Sequence, residues 1–222
     1  MLAVQETNEF DLRDYRRLFA FERAVGMRSI LVHSPHGFHG AMFLQPRLEP
    51  VSLRNDDPFG NRVLMGMMLR TPGGMELTIH NVHLDTYAPQ QRLDGILRRL
   101  SGPPSLVLGD FNNLRPDDPD AEHVWQALLP PYQTRFSGGA PLEGADGRVF
   151  KALEQAGHVD LFRHMHPADR GATVRAAGGM RIDFIFATSD LAQRVTRCEV
   201  LDASPADEAS DHFPVVAEFD LD

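Results

Sequence analysis

The feature that most constrains this chain is a series of short apolar runs with polar residues at their ends. The polar groups are Gln5-Glu6, Asn81-Val82-His83-Leu84, Gly109-Asp110-Phe111-Asn112, Arg181-Ile182-Asp183 and Ser210-Asp211-His212. Runs of this length read as β-strands. Carboxylate oxygens at such strand ends suit a hard divalent cation, and amide and imidazole nitrogens suit an oxyanion or a leaving group. Together they are the inventory of metal-assisted phosphate ester hydrolysis.

Between these ends, periodicity and turn residues divide the chain. Leu12 to Val25 reads as a helix with Asp11 as N-cap and Gly26 as stop. Ser29 to Val32 and Gly40 to Leu44 read as strands. Arg62 to Leu69 and Glu76 to Leu84 read as a pair turning at Thr71-Pro72-Gly73-Gly74. Leu93, Ile96, Leu97 and Leu100 mark one face of a helix over Gln90 to Leu100. Ser105 to Leu108 is a buried strand, helices cover Asp120 to Leu129 and Arg148 to Ala156, and Arg181 to Ala187, Val195 to Leu201 and Pro214 to Phe219 are late strands. Strands interrupted by helices predict a layered α+β domain with antiparallel pairing. At 222 residues with 42% hydrophobic content, one domain over residues 1–222 is expected.

Several polar residues have two readings. Asp110 and Asn112 share a strand face while Phe111 enters the core, but Gly-Asp-x-Asn is also turn chemistry. His83 shares a face with Asn81, which can support it or line the same pocket. Asp183 lies between Ile182 and Phe184, where a carboxylate needs a partner. A histidine is the expected one, and Arg181 competes. Ser210-Asp211-His212 reads as a site or as a polar loop. His33, His36 and His39 lie in a segment broken by glycine and proline, which favours a solvated loop over a zinc site. Asp117, Asp118, Asp120 and Glu122 read as a helix N-terminus. The lone Cys198 excludes an intrachain disulfide and reads as a buried thiol.

The formal net charge of −9 leans against binding of long duplex nucleic acid. No signal peptide and no run of transmembrane length is visible, which predicts a cytoplasmic protein without a membrane span. Gly-x-Ser-x-Gly and His-Glu-x-x-His are absent from the sequence, so a serine hydrolase is unsupported.

In their order along the chain, Val4-Gln5-Glu6, Gly40-Ala41-Met42-Phe43-Leu44, Asn81-Val82-His83-Leu84, Gly109-Asp110-Phe111-Asn112, Gly157-His158-Val159-Asp160-Leu161-Phe162-Arg163, Arg181-Ile182-Asp183-Phe184-Ile185-Phe186 and Ser210-Asp211-His212 resemble the endonuclease/exonuclease/phosphatase superfamily, the deoxyribonuclease I-like fold. The resemblance covers essentially the whole chain. It implies a four-layered α/β/β/α sandwich with two mixed, mainly antiparallel sheets. It implies that Glu6 binds Mg²⁺ or Mn²⁺ with Asp211 beside the ion, and that Asp110 and Asn112 orient water and hold phosphate. His212, held by Asp183, would be base or transition-state stabiliser. His83 would contact the phosphate and serve the leaving group, with Asn81 and Arg181 on the substrate side.

Family members usually begin with a further strand carrying an asparagine. Here Glu6 follows Met1 almost at once, so a fold short of that strand, on the order of 30 residues, is expected. An impaired member that binds a phosphorylated ligand or protein without turnover is the alternative. The family's abasic-site branch has a tryptophan before its Arg-x-Asp, where this chain has Gly179-Met180. The expected substrate is a small phosphate ester, a phospholipid head group or single-stranded nucleic acid.

Overall fold

The computed structural model describes residues 1–34, 37–55, 63–86, 88–97, 104–137, 144–175, 179–201 and 210–221. Three sheets are formed among them. Strands β1 (Leu2–Val4), β2 (Arg28–Val32) and β3 (Gly40–Leu44) make one, in the order β1-β3-β2. Strands β4 (Glu49–Asn55), β5 (Leu64–Arg70), β6 (Glu76–His83), β7 (Ser105–Asp110), β8 (His158–Asp160) and β9 (Asp183–Thr188) make the largest, in the order β4-β5-β6-β7-β9-β8. Strands β10 (Val195–Val200) and β11 (Val215–Phe219) pair antiparallel. Within the six-stranded sheet β6 and β7 run parallel and the other pairs antiparallel. The class is α+β, as the run pattern predicts.

The alternation of each strand explains the layering. One face of the large sheet, with Met65, Met67, Leu77, Ile79, Leu106, Leu108, Ile185 and Ala187, packs on Val32, Met42 and Leu44 of the three-stranded sheet and on Cys198 of β10. The opposite face carries Leu64, Val82, Val107, Phe184 and Phe186. Helices α2 (Pro89–Leu97) and α5 (Arg148–Gln155) cover it with Ile96, Val149, Phe150 and Leu153. Helix α1 (Arg16–Val25) lies outside the three-stranded sheet, where Leu18 meets Ala41 and Phe43. Cys198 is buried as expected, and burial pushes its thiol up to about 12.

Several elements differ from those read in the sequence. Helix α1 starts at Arg16 rather than Leu12, because Arg13, Asp14 and Tyr15 hold left-handed φ of 52, 56 and 59°. Asp11 is therefore not its N-cap. Gly26 does stop it, at φ 66°. The helix read over Asp120 to Leu129 is α3 (Ala121–Ala127), and a second helix, α4 (Pro130–Phe136), follows at once. Leu128 and Leu129 are extended between them, and Pro130 begins the second, since proline is favoured at a first helical position and not within a helix. Strand β4 contains Pro50 and alternates only two apolar residues, the exposed Val51 and Leu53, and goes unread. The tail of the helix read to Leu100, and His36, lie outside the described residues.

His158 is a buried imidazole that shares a 3.0 Å hydrogen bond with Ser105 Oγ. Burial holds its pKa below the usual value. Below that usual value, near 6.5, the unfolded chain takes up a proton that the folded chain refuses. Stability is therefore expected to fall as pH drops through that window. The urea midpoint of the wild type should decrease more between pH 7.5 and 5.5 than that of His158→Gln. Parallel curves would refute this assignment.

Candidate active site

Strand register builds the site. Parallel pairing sets His83, the last residue of β6, beside Asp110, the last of β7. Antiparallel pairing sets Asp110 beside Asp183, the first of β9. Three polar side chains thus meet at one rim of the sheet. His83 Nε2 stands 3.5 Å from Asp110 Oδ2 and 3.6 Å from Glu6 Oε1. His83 is buried, while Glu6 is half exposed. Glu6 lies two residues beyond β1 in the left-handed region, at φ 52°. The next residue is anchored by Thr7 N–H donating to His39 O at 2.9 Å.

Asp183 takes a histidine as its partner. His212 Nδ1 lies 2.8 Å from Asp183 Oδ2. Burial opposes the charged imidazole, but the bond to Asp183 and the charges of Asp183, Asp110 and Asp211 outweigh it and raise the pKa to about 9. Asp110 is nearly dry, and burial together with the Asp183 charge raises its carboxyl to about 7. Thr173 fixes this corner. Its Oγ1 accepts from the amides of Ile182 and Asp183, and its carbonyl accepts from Phe213 N–H at 2.7 Å. Thr173 carries no signal in the sequence, because its role is to accept backbone bonds from a distant loop.

Of the two readings of Asp110-Phe111-Asn112 and of Ser210-Asp211-His212, the turn is the one formed in both segments. Asn112 has φ 47°, so the strand alternation stops before it. Its N–H donates to Asp110 Oδ1 at 2.7 Å and its Nδ2 to Leu84 O at 2.8 Å. The segment is a turn that carries polar groups. Phe111 is fully buried against Phe184, with ring centroids 5.1 Å apart. Gly109 must be glycine there, because a Cβ would lie 2.0 Å from Val82 O at φ 128°. Likewise Ser210 Oγ accepts from His212 N–H at 3.0 Å, a turn that leaves Asp211 exposed and directs His212 to Asp183.

Two residues read as substrate-binding are buried and bonded to protein groups instead. Arg181 precedes β9 and is buried. Its nitrogens donate to Asp118 at 2.8 and 2.6 Å and to Asp160 at 3.0 and 2.7 Å. Its guanidinium lies 4.5 Å from the Phe184 ring centroid. Neither is it the partner of Asp183. Asp118, read as part of a helix N-terminus, belongs to this network, and it receives Arg163 as well. A cavity of about 180 Å³ adjoins the network between Leu114, Trp125 and Arg181. Asn81 is buried within the sheet stack. Its Nδ2 donates to Val4 O and Ala41 O at 3.3 and 3.2 Å, and its Oδ1 accepts from Gln5 Nε2 at 2.5 Å. It locks β1, and so Glu6, onto the large sheet.

His33 and His39 come together, which the broken segment did not predict, and Asp11 joins them. Asp11 Oδ2 lies 3.3 Å from His39 Nε2 and 3.7 Å from His33 Nδ1. Ser34 N–H donates to His39 Nδ1 at 3.0 Å. That bond uses the Nδ1 lone pair, so neutral His39 carries its proton on Nε2, the nitrogen 3.3 Å from Asp11 Oδ2. A metal on Nε2 needs the other tautomer. Ring contact between His33 and His39 and the Ser34–His39 bond brace the loop beside Glu6.

Comparison with known proteins agrees with this architecture. A family model described as "Endonuclease/Exonuclease/phosphatase family" matches residues 1–212. An exodeoxyribonuclease of Streptococcus pneumoniae is 30% identical over 128 residues, 53% of this chain. The match takes in 42% of that relative, so the chain aligns with less than half its length. A 3' phosphatase from Neisseria, solved with a product DNA hairpin, superposes with TM-score 0.69 at 20% identity, covering 99% of this chain and 88% of the other. An AP endonuclease from Archaeoglobus fulgidus gives TM-score 0.69 at 22% identity with the same coverages. A mannosyl-6-phosphatase from Bacteroides thetaiotaomicron gives 0.61 at 18%, covering 99% and 84%. At these identities the superpositions establish the fold. The chain belongs to the endonuclease/exonuclease/phosphatase family.

Proposed function

We propose that the protein is a divalent-metal-dependent phosphoesterase in which an activated water attacks phosphorus. The observation that carries this reading is the convergence of His83, Asp110 and the Asp183–His212 pair at the adjacent ends of β6, β7 and β9. Glu6, 3.6 Å from His83, and Asp211, next to His212 in sequence, are exposed carboxylates, and they would hold Mg²⁺ or Mn²⁺. Two hard oxygen donors with open positions fit an ion that keeps several waters and takes up substrate oxygens. Once bound, the ion supplies positive charge to the phosphate and acidifies water.

The chain's own residues do the rest. Asp183 holds His212 Nδ1, which leaves Nε2 to manage a proton or a developing charge on phosphate. Asp110 orients the attacking water, and its raised pKa suits it to exchange a proton near neutral pH. Asn112 braces the turn beside it. His83 Nε2 faces the phosphate oxygens between Glu6 and Asp110. The names of the related proteins favour DNA ends and sugar phosphates as substrates. The net charge of −9 favours short or single-stranded ligands among them.

The test is hydrolysis of bis-p-nitrophenyl phosphate, p-nitrophenyl phosphate and a 3'-phosphorylated DNA oligonucleotide with Mg²⁺ or Mn²⁺. Chelation is expected to abolish turnover, and Asp110→Ala to lower kcat by about a hundredfold or more. Turnover that survives either change places the chemistry elsewhere. A folded protein inactive on all three substrates with both metals refutes the phosphoesterase reading for this chain.

A further inference from the structure

We propose that Arg92 is a positioning residue that fixes the loop after His83 against the turn carrying Asp110 and Asn112, an inference that rests on the phosphoesterase reading only for its kinetic consequence. Arg92 lies on α2 and is 1% exposed. A guanidinium so buried ordinarily meets a carboxylate. Its described hydrogen bonds go to backbone carbonyls instead. Nη1 donates to Asp85 O at 3.0 Å, Thr86 O at 3.1 Å and Asn112 O at 3.4 Å, and Nη2 to Arg135 O at 3.3 Å. Burial lowers its pKa to about 10, so it stays charged at neutral pH.

The acceptors belong to the segments that deliver the site. Asp85 and Thr86 follow His83 by two and three residues, and Asn112 follows Asp110 by two. The same segments are cross-linked by Leu84 N–H to Asp110 O at 2.9 Å and by Asn112 Nδ2 to Leu84 O at 2.8 Å. Strand pairing ends at His83 and Asp110. Beyond that point Arg92 and these two bonds take over its work. A planar fork can reach Asn112 and Arg135 at once, and an ammonium cannot. The residue acts through His83 and Asp110 and does not touch substrate.

Arg92→Met, Arg92→Lys and the control Ile96→Ala decide the matter. Ile96 is buried on the same helix and points into the core under the sheet. Arg92→Met is expected to lower kcat about tenfold or more with KM changed by no more than about twofold, and Arg92→Lys to recover part of kcat. Ile96→Ala should lose stability with kcat nearly unchanged. By amide hydrogen exchange, Leu84 and Asn112 should lose protection in Arg92→Met while Met67 in β5 keeps it. Should Arg92→Met not fold, Arg92→Lys is read by the same two measurements. Unchanged protection at Leu84 and Asn112 overturns the proposal, as does a kcat loss no larger than that of Ile96→Ala. If the wild type turns over none of the substrates, the phosphoesterase reading fails and the exchange pattern alone judges Arg92.

Discussion

Asp160→Ala is expected to destabilise the protein by about 3–5 kcal/mol, the usual result of removing one partner from a buried ion network. Asp160 is buried at the end of β8. Its carboxylate receives two bonds from Arg181, at 3.0 and 2.7 Å, and one from Arg115 at 3.2 Å. It also caps the helix that follows, accepting Arg163 N–H at 3.1 Å. Truncation would leave Arg181 leaning on Asp118 alone and would strip a helix N-terminus of its cap. Asp160→Asn should fall between wild type and alanine, because it keeps the cap acceptor and loses the charge. Urea unfolding monitored by circular dichroism measures all three. A cost for the alanine variant within about 1 kcal/mol, the range of an exposed pair, would show that Arg115 and Arg181 repack without Asp160.

His212→Ala is expected to lower kcat by about 10²–10⁴-fold, the range for loss of a positioned proton-transfer group. Asp183→Asn should lose a comparable factor, because the carboxamide can offer its N–H to Nδ1 and hold the ring in the wrong tautomer. The double variant should be little worse than His212→Ala, since the two residues work as one unit. Multiplicative losses would mean that Asp183 has a task of its own. Asp110 is the place to look, because the Asp183 charge helps to keep its carboxyl raised. Folding of Asp183→Asn must be checked alongside. Its backbone N–H to Thr173 is unaffected, so the melting temperature should hold while kcat falls.

The reach of sequence reasoning followed the range of the interactions. Asp183 was legible because a carboxylate between Ile182 and Phe184 needs a partner, and the rim of a sheet supplies histidines. The turns at Asn112 and Ser210 were legible from their local polar residues, and both form. Arg181 was misread because its face was judged by strand alternation, which begins only at Asp183. Its true partners are 63 and 21 residues away. Asp11 was read as a cap from local sequence, yet its partners lie across the β2–β3 hairpin. Thr173 and Arg92 left no trace at all. One accepts and the other donates backbone bonds, and such contacts leave no pattern of residue types.

The register of β7 against β9 has a consequence for how the protein can fail. Side chains alternate along a strand, so a slip of one residue between β7 and β9 would set Asp183 on the opposite face from Asp110. Alignment of the chemistry is therefore a digital property of the sheet, set by whole residues and not by small adjustments. The aromatic cluster of Phe111, Phe150, Phe184 and Phe186 is the detent that keeps the count. Catalytic competence and core identity are in this sense one inheritance. The packing that fixes the core thereby also fixes the face on which His83, Asp110 and Asp183 meet.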